Sequence, residues 1–196
     1  NWSGRELRSS LVELTGSTMG IVGFGTVGRA LAERAQAFGM HILAVDVFPD
    51  GKPDYVDHLT GLEGLPSLLA ESDYVVVTVP LVASTHHMIG EAELAQMKPS
   101  AMLVGISRGG VIDEGALVAA LQEGRLAAAA LDVFETEPLP ADSPLWDIEN
   151  LLITPHAAGG TQFEADHLRE IFVENVARFL ADDVPLRNQI DKARGF

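Results

Sequence analysis

Hydrophobic and polar positions along this chain switch repeatedly between two periods. Thr18-Met19-Gly20-Ile21-Val22 is a short, mostly apolar run that predicts a strand. From Val27 onward the apolar residues Val27, Ala30, Leu31, Ala35 and Phe38 fall on one helical face. His41-Ile42-Leu43-Ala44-Val45 predicts a second strand. A short helix follows around 65–71, with Pro66 near its first turn. Tyr74-Val75-Val76-Val77-Thr78-Val79 is a continuous β-branched run, so a strand buried on both faces and ended by Pro80. A helix over 91–97 stops before Pro99, and Ala101 to Ile106 predicts another buried strand. A helix over 113–123 has Gly124 just beyond it. Alanine in the run 126–131 favours helix, but its short length between Gly124 and Asp132 suits a central strand better. Leu151-Leu152-Ile153 is the last strand. A long amphipathic helix over 161–180 carries Leu168, Ile171, Phe172, Val176, Phe179 and Leu180 on one side, a stripe expected to pack into the core. Strands alternating with helices predict an α/β fold, a doubly wound parallel sheet with helices on both faces.

The junction after the first strand carries the sharpest chemical signal. Gly23-Phe24-Gly25-Thr26-Val27-Gly28 lies between strand and helix. The first glycine permits a tight turn, the second lets the backbone approach a pyrophosphate, and the third lets helix and strand pack closely. The helix N-terminus offers free N–H groups and partial positive charge to the anion. The second strand ends on Asp46, at the distance expected for the acid that accepts hydrogen bonds from an adenosine ribose. Together these parts predict a Rossmann-type dinucleotide-binding domain. A carboxylate at Asp46 repels a 2′-phosphate and no arginine closely follows it, so the expected cofactor is NAD rather than NADP.

Composition narrows the setting. The 196 residues fit one domain, and a 47% hydrophobic content is ample for a core. There is no cysteine, hence no disulfide framework or thiolate metal site, and no metal is expected. A reducing, cytoplasmic location fits that usage. No apolar stretch approaches a membrane span, and the first residues do not resemble a signal peptide. The formal net charge of −15 argues against nucleic-acid binding and means that an anionic substrate needs a local positive group.

In doubly wound sheets, ligands sit at the carboxyl ends of the strands. That rule singles out Asp46, Val79-Pro80, Ser107-Arg108, Asp132 to Glu137 and Thr154-Pro155-His156 beside the glycine turn. Arg108 follows a buried strand and precedes Gly109-Gly110, so its guanidinium can project into the crevice and grip a carboxylate with two hydrogen bonds. Glu137 and His156 follow the next two strand ends. A carboxylate clamp, an acid and a base are then expected to face the cofactor crevice.

Four stretches resemble the cofactor domain of the D-isomer-specific 2-hydroxyacid dehydrogenases. They are Gly20 to Arg29, Ile106-Ser107-Arg108-Gly109-Gly110-Val111-Ile112-Asp113-Glu114, Leu131-Asp132-Val133-Phe134-Glu135-Thr136-Glu137-Pro138, and Asn150-Leu151-Leu152-Ile153-Thr154-Pro155-His156. The likeness runs nearly end to end, through Asn188 and Gly195-Phe196. It implies hydride transfer between NAD(H) and a small 2-hydroxy or 2-keto acid. Arg108 would bind the substrate carboxylate and polarise the adjacent carbonyl. His156 would exchange the proton with the carbonyl oxygen, and Glu137 would orient His156. The resemblance places Gly23, Gly25, Thr26, Val27, Gly28, Asp46, Val79, Pro80, Thr85, Ile106, Ser107, Arg108, Asp132, His156 and Gly159 at the cofactor. Asp132 would contact the nicotinamide carboxamide, and Thr26 and Val27 would offer backbone groups to the pyrophosphate. His86 and His87 receive no role. Family members dimerise through this domain, so a homodimer is expected.

The resemblance also has departures. Members of the family carry a substrate domain before this point, which closes the crevice and adds donors to the substrate carboxylate. Residues 1–17 then read as a lead-in from that domain, 18–182 as the NAD-binding domain and 183–196 as a tail returning toward the substrate domain. A cofactor domain alone is expected to bind NAD but to turn over poorly. Gly105 stands where the family often has asparagine, and Val79 where histidine is frequent. The alternative reading is a non-catalytic NAD-sensing scaffold, as in the transcriptional co-repressors of the same family. Glu137 argues against a formate dehydrogenase relative, which has glutamine at that position.

Overall fold

The structure, a computed structural model, describes residues 11–192, so most of the expected lead-in and the last residues of the expected tail lie outside it. The chain divides into two compact units, one ending at Pro155 and one beginning at His156. The domain expected over 18–182 spans that boundary.

The first unit is built on seven parallel strands: β1 (Thr18–Val22), β2 (His41–Val45), β3 (His58–Thr60), β4 (Tyr74–Val77), β5 (Met102–Gly105), β6 (Ala128–Leu131) and β7 (Leu151–Ile153). Their order across the sheet is β3-β2-β1-β4-β5-β6-β7. The chain winds outward from β1 in one direction and then, from β4, in the other, which is the doubly wound topology with its switch point between β1 and β4. Ile21 faces Ala44 on one side and Val76 on the other. The helices of this unit are α1 (Thr26–Ala37), α2 (Leu65–Glu71), α3 (Glu91–Leu94) and α4 (Glu114–Gln122).

Alternation along the strands sorts the core into two layers, because successive side chains leave a strand on opposite faces. Val22, Leu43, Val45, Val75 and Val77 pack with Leu65, Leu68 and Leu69 of α2, Leu94 of α3 and Leu117 of α4. Ile21, Ile42 and Ala44 pack instead with Ala32 and Ala35 of α1 and with Phe24. Both faces of the sheet are therefore covered, as the unbroken apolar strands required.

Several boundaries differ from the sequence expectation. β4 stops at Val77, two residues before the expected end; the Thr78 N–H still bonds the Val22 carbonyl (2.8 Å), and its hydroxyl donates to the Gly23 carbonyl (2.7 Å). α3 stops at Leu94 rather than reaching 97, and β6 begins at Ala128. β3 carries no signal of its own in the pattern; it pairs with β2 over only three residues.

The second unit contains α5 (Glu164–Leu180), which starts three residues later than expected. Its apolar stripe does not pack into a core. The helix has no buried residue, and Phe172 and Leu180 are 69% and 78% exposed. The periodicity correctly marked one apolar face, but a single helix supplies no second layer to cover it. No helix among the described residues is long and apolar enough to cross a membrane.

Candidate cofactor and active site

The turn after β1 is shaped by three different demands on its glycines. Gly23 has φ +99°, and a Cβ there would meet the Val79 side chain at 2.8 Å and its backbone nitrogen at 2.9 Å. A Cβ on Gly28 would run into the Gly23 carbonyl oxygen, so the third glycine is what lets α1 sit against the turn. Gly25 differs from both, since its missing side chain faces open space. The N-terminus of α1 has no side-chain cap and no acid in its first turn. First-turn N–H groups have no acceptor within a helix, and exposed Thr26 and Val27 present theirs beside the space at Gly25. These features fit a dinucleotide pyrophosphate: room for the phosphates, donors for their oxygens and a favourable helix dipole.

Asp46 stands at the carboxyl end of β2. Its Oδ2 accepts from the Phe24 N–H (2.6 Å) and its Oδ1 from the Phe48 N–H (2.8 Å). The carboxylate is thus fixed against the glycine turn. Thr78 secures the same turn from β4, donating to the Gly23 carbonyl. Sequence reasoning placed Thr78 inside the strand and gave it no role, and its partner lies 55 residues away.

Beyond β4, Val79 and Pro80 are half-buried. The Thr85 hydroxyl donates to the Pro80 carbonyl (2.6 Å) and accepts from the Val82 N–H (2.8 Å), so it closes its own loop. Ile106 and Ser107 are half-buried after β5, and Arg108 is exposed with its Nη1 on the Ser107 carbonyl (2.7 Å). Gly109 packs so tightly under the Phe134 carbonyl that no side chain fits, which locks the arginine loop to the segment after β6. Gly105 is held between Ile112 and Leu131, whose side chains would lie within 3 Å of any Cβ, so a larger residue there requires them to move.

In the segment after β6, Asp132 is 4% exposed and takes a hydrogen bond from the Thr154 hydroxyl (2.5 Å). Glu137 is exposed and its Oε1 accepts from the Phe134 N–H (2.9 Å). Three loops are tied together here by residues that sequence reasoning left without a role. His87 Nε2 lies 3.1 Å from Glu135 Oε1, and Nδ1 lies 3.6 Å from Asp113. Glu114 accepts from the Glu135 N–H (2.6 Å). Burial pushes the Glu114 carboxyl above its usual range, and the charges of Glu135, Asp113 and Glu137 push the same way.

All of these residues belong to the first unit and lie beyond the carboxyl ends of parallel strands, hence at one edge of the sheet. His156 opens the second unit with a left-handed backbone (φ +52°), and both it and Gly159 are exposed. Among the described residues no group of three or more histidines or acids is arranged to hold a metal.

Sheet order, glycine turn and rim aspartate define a nicotinamide-dinucleotide-binding domain of the doubly wound class. A family model described as D-isomer specific 2-hydroxyacid dehydrogenase, NAD binding domain, matches residues 1–158. The chain belongs to this family. It is 45% identical over 175 residues to a glyoxylate reductase of Korarchaeum cryptofilum, covering 88% of this chain and 52% of the relative. It is 44% identical over 168 residues to an (S)-sulfolactate dehydrogenase of Chromohalobacter salexigens, covering 86% of this chain and 54% of the relative. The chain spans about half the length of these curated relatives. Among solved structures, a D-isomer specific 2-hydroxyacid dehydrogenase from Xanthobacter autotrophicus, in complex with NADPH and MES, superposes with a TM-score of 0.88 at 37% identity. That match covers 99% of this chain and 80% of the other.

Proposed function

We propose that this protein transfers hydride between NAD(H) and a small 2-keto or 2-hydroxy acid. The observation that carries the proposal is the convergence in the first unit: the glycine turn after β1, Asp46 after β2, Arg108 after β5, and Asp132 and Glu137 after β6 share one edge of a parallel sheet. When bound, the nicotinamide supplies or accepts the hydride. Gly25 leaves room for the pyrophosphate, and the α1 N-terminus donates to it. Asp46 accepts from the ribose hydroxyls and disfavours a 2′-phosphate, which is the basis for NAD over NADP. Asp132 orients the carboxamide, with Thr154 fixing its carboxylate.

Arg108 grips the substrate carboxylate and draws charge from the adjacent carbonyl. Its exposed guanidinium and the rigid seat of Gly109 against Phe134 suit that task. His156 gives a proton to the carbonyl oxygen during reduction and takes it back during oxidation. Homodimer assembly through this domain and a cytoplasmic location belong to the same proposal, and light scattering reads the first.

Steady-state kinetics of the intact gene product with NADH and a panel including glyoxylate and hydroxypyruvate test the reading. We expect turnover of at least one 2-keto acid. His156→Ala should lower kcat about 10²–10⁴-fold. Absence of turnover with every acid despite NADH binding would overturn it in favour of the sensing scaffold.

A further inference from the structure

Residues 47–52, directly after Asp46, are exposed and not held by burial, unlike Val56 further along the same loop. Val47 and Phe48 are 50% and 45% exposed, and Gly51 turns through a left-handed conformation (φ +62°). A loop of this kind drifts unless polar contacts pin it. The strongest pin comes from α1. Arg29 Nη1 donates to the Gly51 carbonyl (2.7 Å) and Nη2 to the Asp50 carbonyl (2.6 Å). The guanidinium carbon also lies 4.6 Å from the centre of the Phe24 ring. Phe24 itself is 2% exposed and packed against the sheet, so it gives the guanidinium a fixed surface to rest on.

These contacts close a ring. Arg29 grips the far end of the loop and rests on Phe24. The Phe24 N–H donates to Asp46 Oδ2, and Asp46 Oδ1 takes the Phe48 N–H in the same loop. Both Asp46 oxygens therefore keep one direction relative to the glycine turn. The planar fork of arginine suits two adjacent carbonyls in a way that a lysine ammonium does not.

We propose that Arg29 is a positioning residue for cofactor choice: by clamping the 50–51 carbonyls over Phe24 it holds the Asp46 carboxylate where a ribose diol is accepted and a 2′-phosphate is refused. The inference rests on the reading of Asp46 given under the proposed function, and it adds the group that makes Asp46 selective. With the clamp gone, the loop swings outward, the diol loses a fixed acceptor and the phosphate meets less repulsion. Arg29 touches neither ribose nor phosphate in this role.

The test is fluorescence titration of NADH and NADPH against the wild-type protein, Arg29→Ala, Arg29→Lys, Asp46→Asn and the double variant, with melting curves confirming folding. The wild type should prefer NADH. Arg29→Ala should weaken NADH about tenfold and leave NADPH within about threefold, narrowing the ratio by roughly tenfold. Arg29→Lys should fall between, and it serves as the readout if the alanine variant does not fold. In the Asp46→Asn background, Arg29→Ala should no longer move the ratio, because the arginine acts through the aspartate. A general loss of stability would weaken both dinucleotides together and leave the ratio alone. An unchanged ratio in both folded Arg29 variants overturns the proposal. So does a selective loss of NADPH in Arg29→Ala, which would make Arg29 a direct phosphate ligand. Failure of the wild type to bind either dinucleotide would instead overturn the functional reading, and this inference with it.

Discussion

The unit that ends at Pro155 and the unit that begins at His156 treat the same kind of sequence pattern in opposite ways. In the first, apolar positions become core: Leu103 on β5 and Leu117 on α4 are fully buried. In the second, the apolar stripe of α5 stays in solvent, with Phe172, Phe179 and Leu180 each more than two-thirds exposed. Their ion pairs differ as well. Asp73 in the first unit is held by Lys98 and by the Thr18 N–H of the sheet. Glu174 on α5 in the second is held by Arg178 of the same helix and by Arg187 beyond its end. The contrast teaches that a periodic apolar face specifies an element, whereas burial requires a second layer.

Truncation at the two kinds of apolar site should give the largest separation. Leu103→Ala opens a cavity in the packed core of the first unit and should cost about 2–5 kcal/mol of stability in denaturant melts. A cost below about 1 kcal/mol would show that the first unit is not packed as described.

Charge sharpens the comparison at a smaller scale. Hydrogen bonds from Lys98 and Thr18 hold the Asp73 carboxyl below its ordinary value of 3.8. A depressed folded value means that the contribution is complete above the unfolded value and is lost as pH falls through the folded one. Asp73 is about one-third exposed, so solvent screening limits its worth to about 1 kcal/mol. Asp73→Asn should therefore lower stability by about that amount at neutral pH and flatten the loss of stability below pH 3.8. An unchanged acid limb in the variant would remove Asp73 from the account. Arg187 and Arg178 depress Glu174 in the same direction, and this partly exposed pairing should weaken with added salt.

The smallest effect is expected on α5. Phe172→Ala should change the stability of this chain by less than about 0.5 kcal/mol, because an exposed ring loses little when removed. A cost like that of Leu103→Ala would erase the distinction between the units.

Local signals were enough for much of the fold. The glycine spacing, the β-branched run at 74–77 and the aspartate ending β2 each mark their element without help from distant residues. β3 escaped because His58-Leu59-Thr60 is too short to show a period, and its strand character comes from pairing with β2. The α5 stripe was misread because periodicity does not say what covers a face. Chain order alone was enough to put Arg108 after β5 and Glu137 after β6. The roles of Thr78, Arg29 and His87 were not legible, since their partners lie 55, 21–22 and 48 residues away. The glycines show the same divide. Gly23, Gly25 and Gly28 were legible as a set, yet only the folded backbone shows that two are demanded by packing and one by open space.

That last distinction gives the most direct test of the central claim, that the turn after β1 exists to hold a dinucleotide pyrophosphate. Gly25 has an ordinary extended backbone (φ −77°), and a Cβ placed on it would have no neighbour within 4 Å. Gly25→Val should therefore fold, losing about 1 kcal/mol for the poorer N-cap, while calorimetric titration with NAD should show affinity reduced about 100-fold or more. A variant that folds and binds NAD as tightly as the wild type would contradict the account.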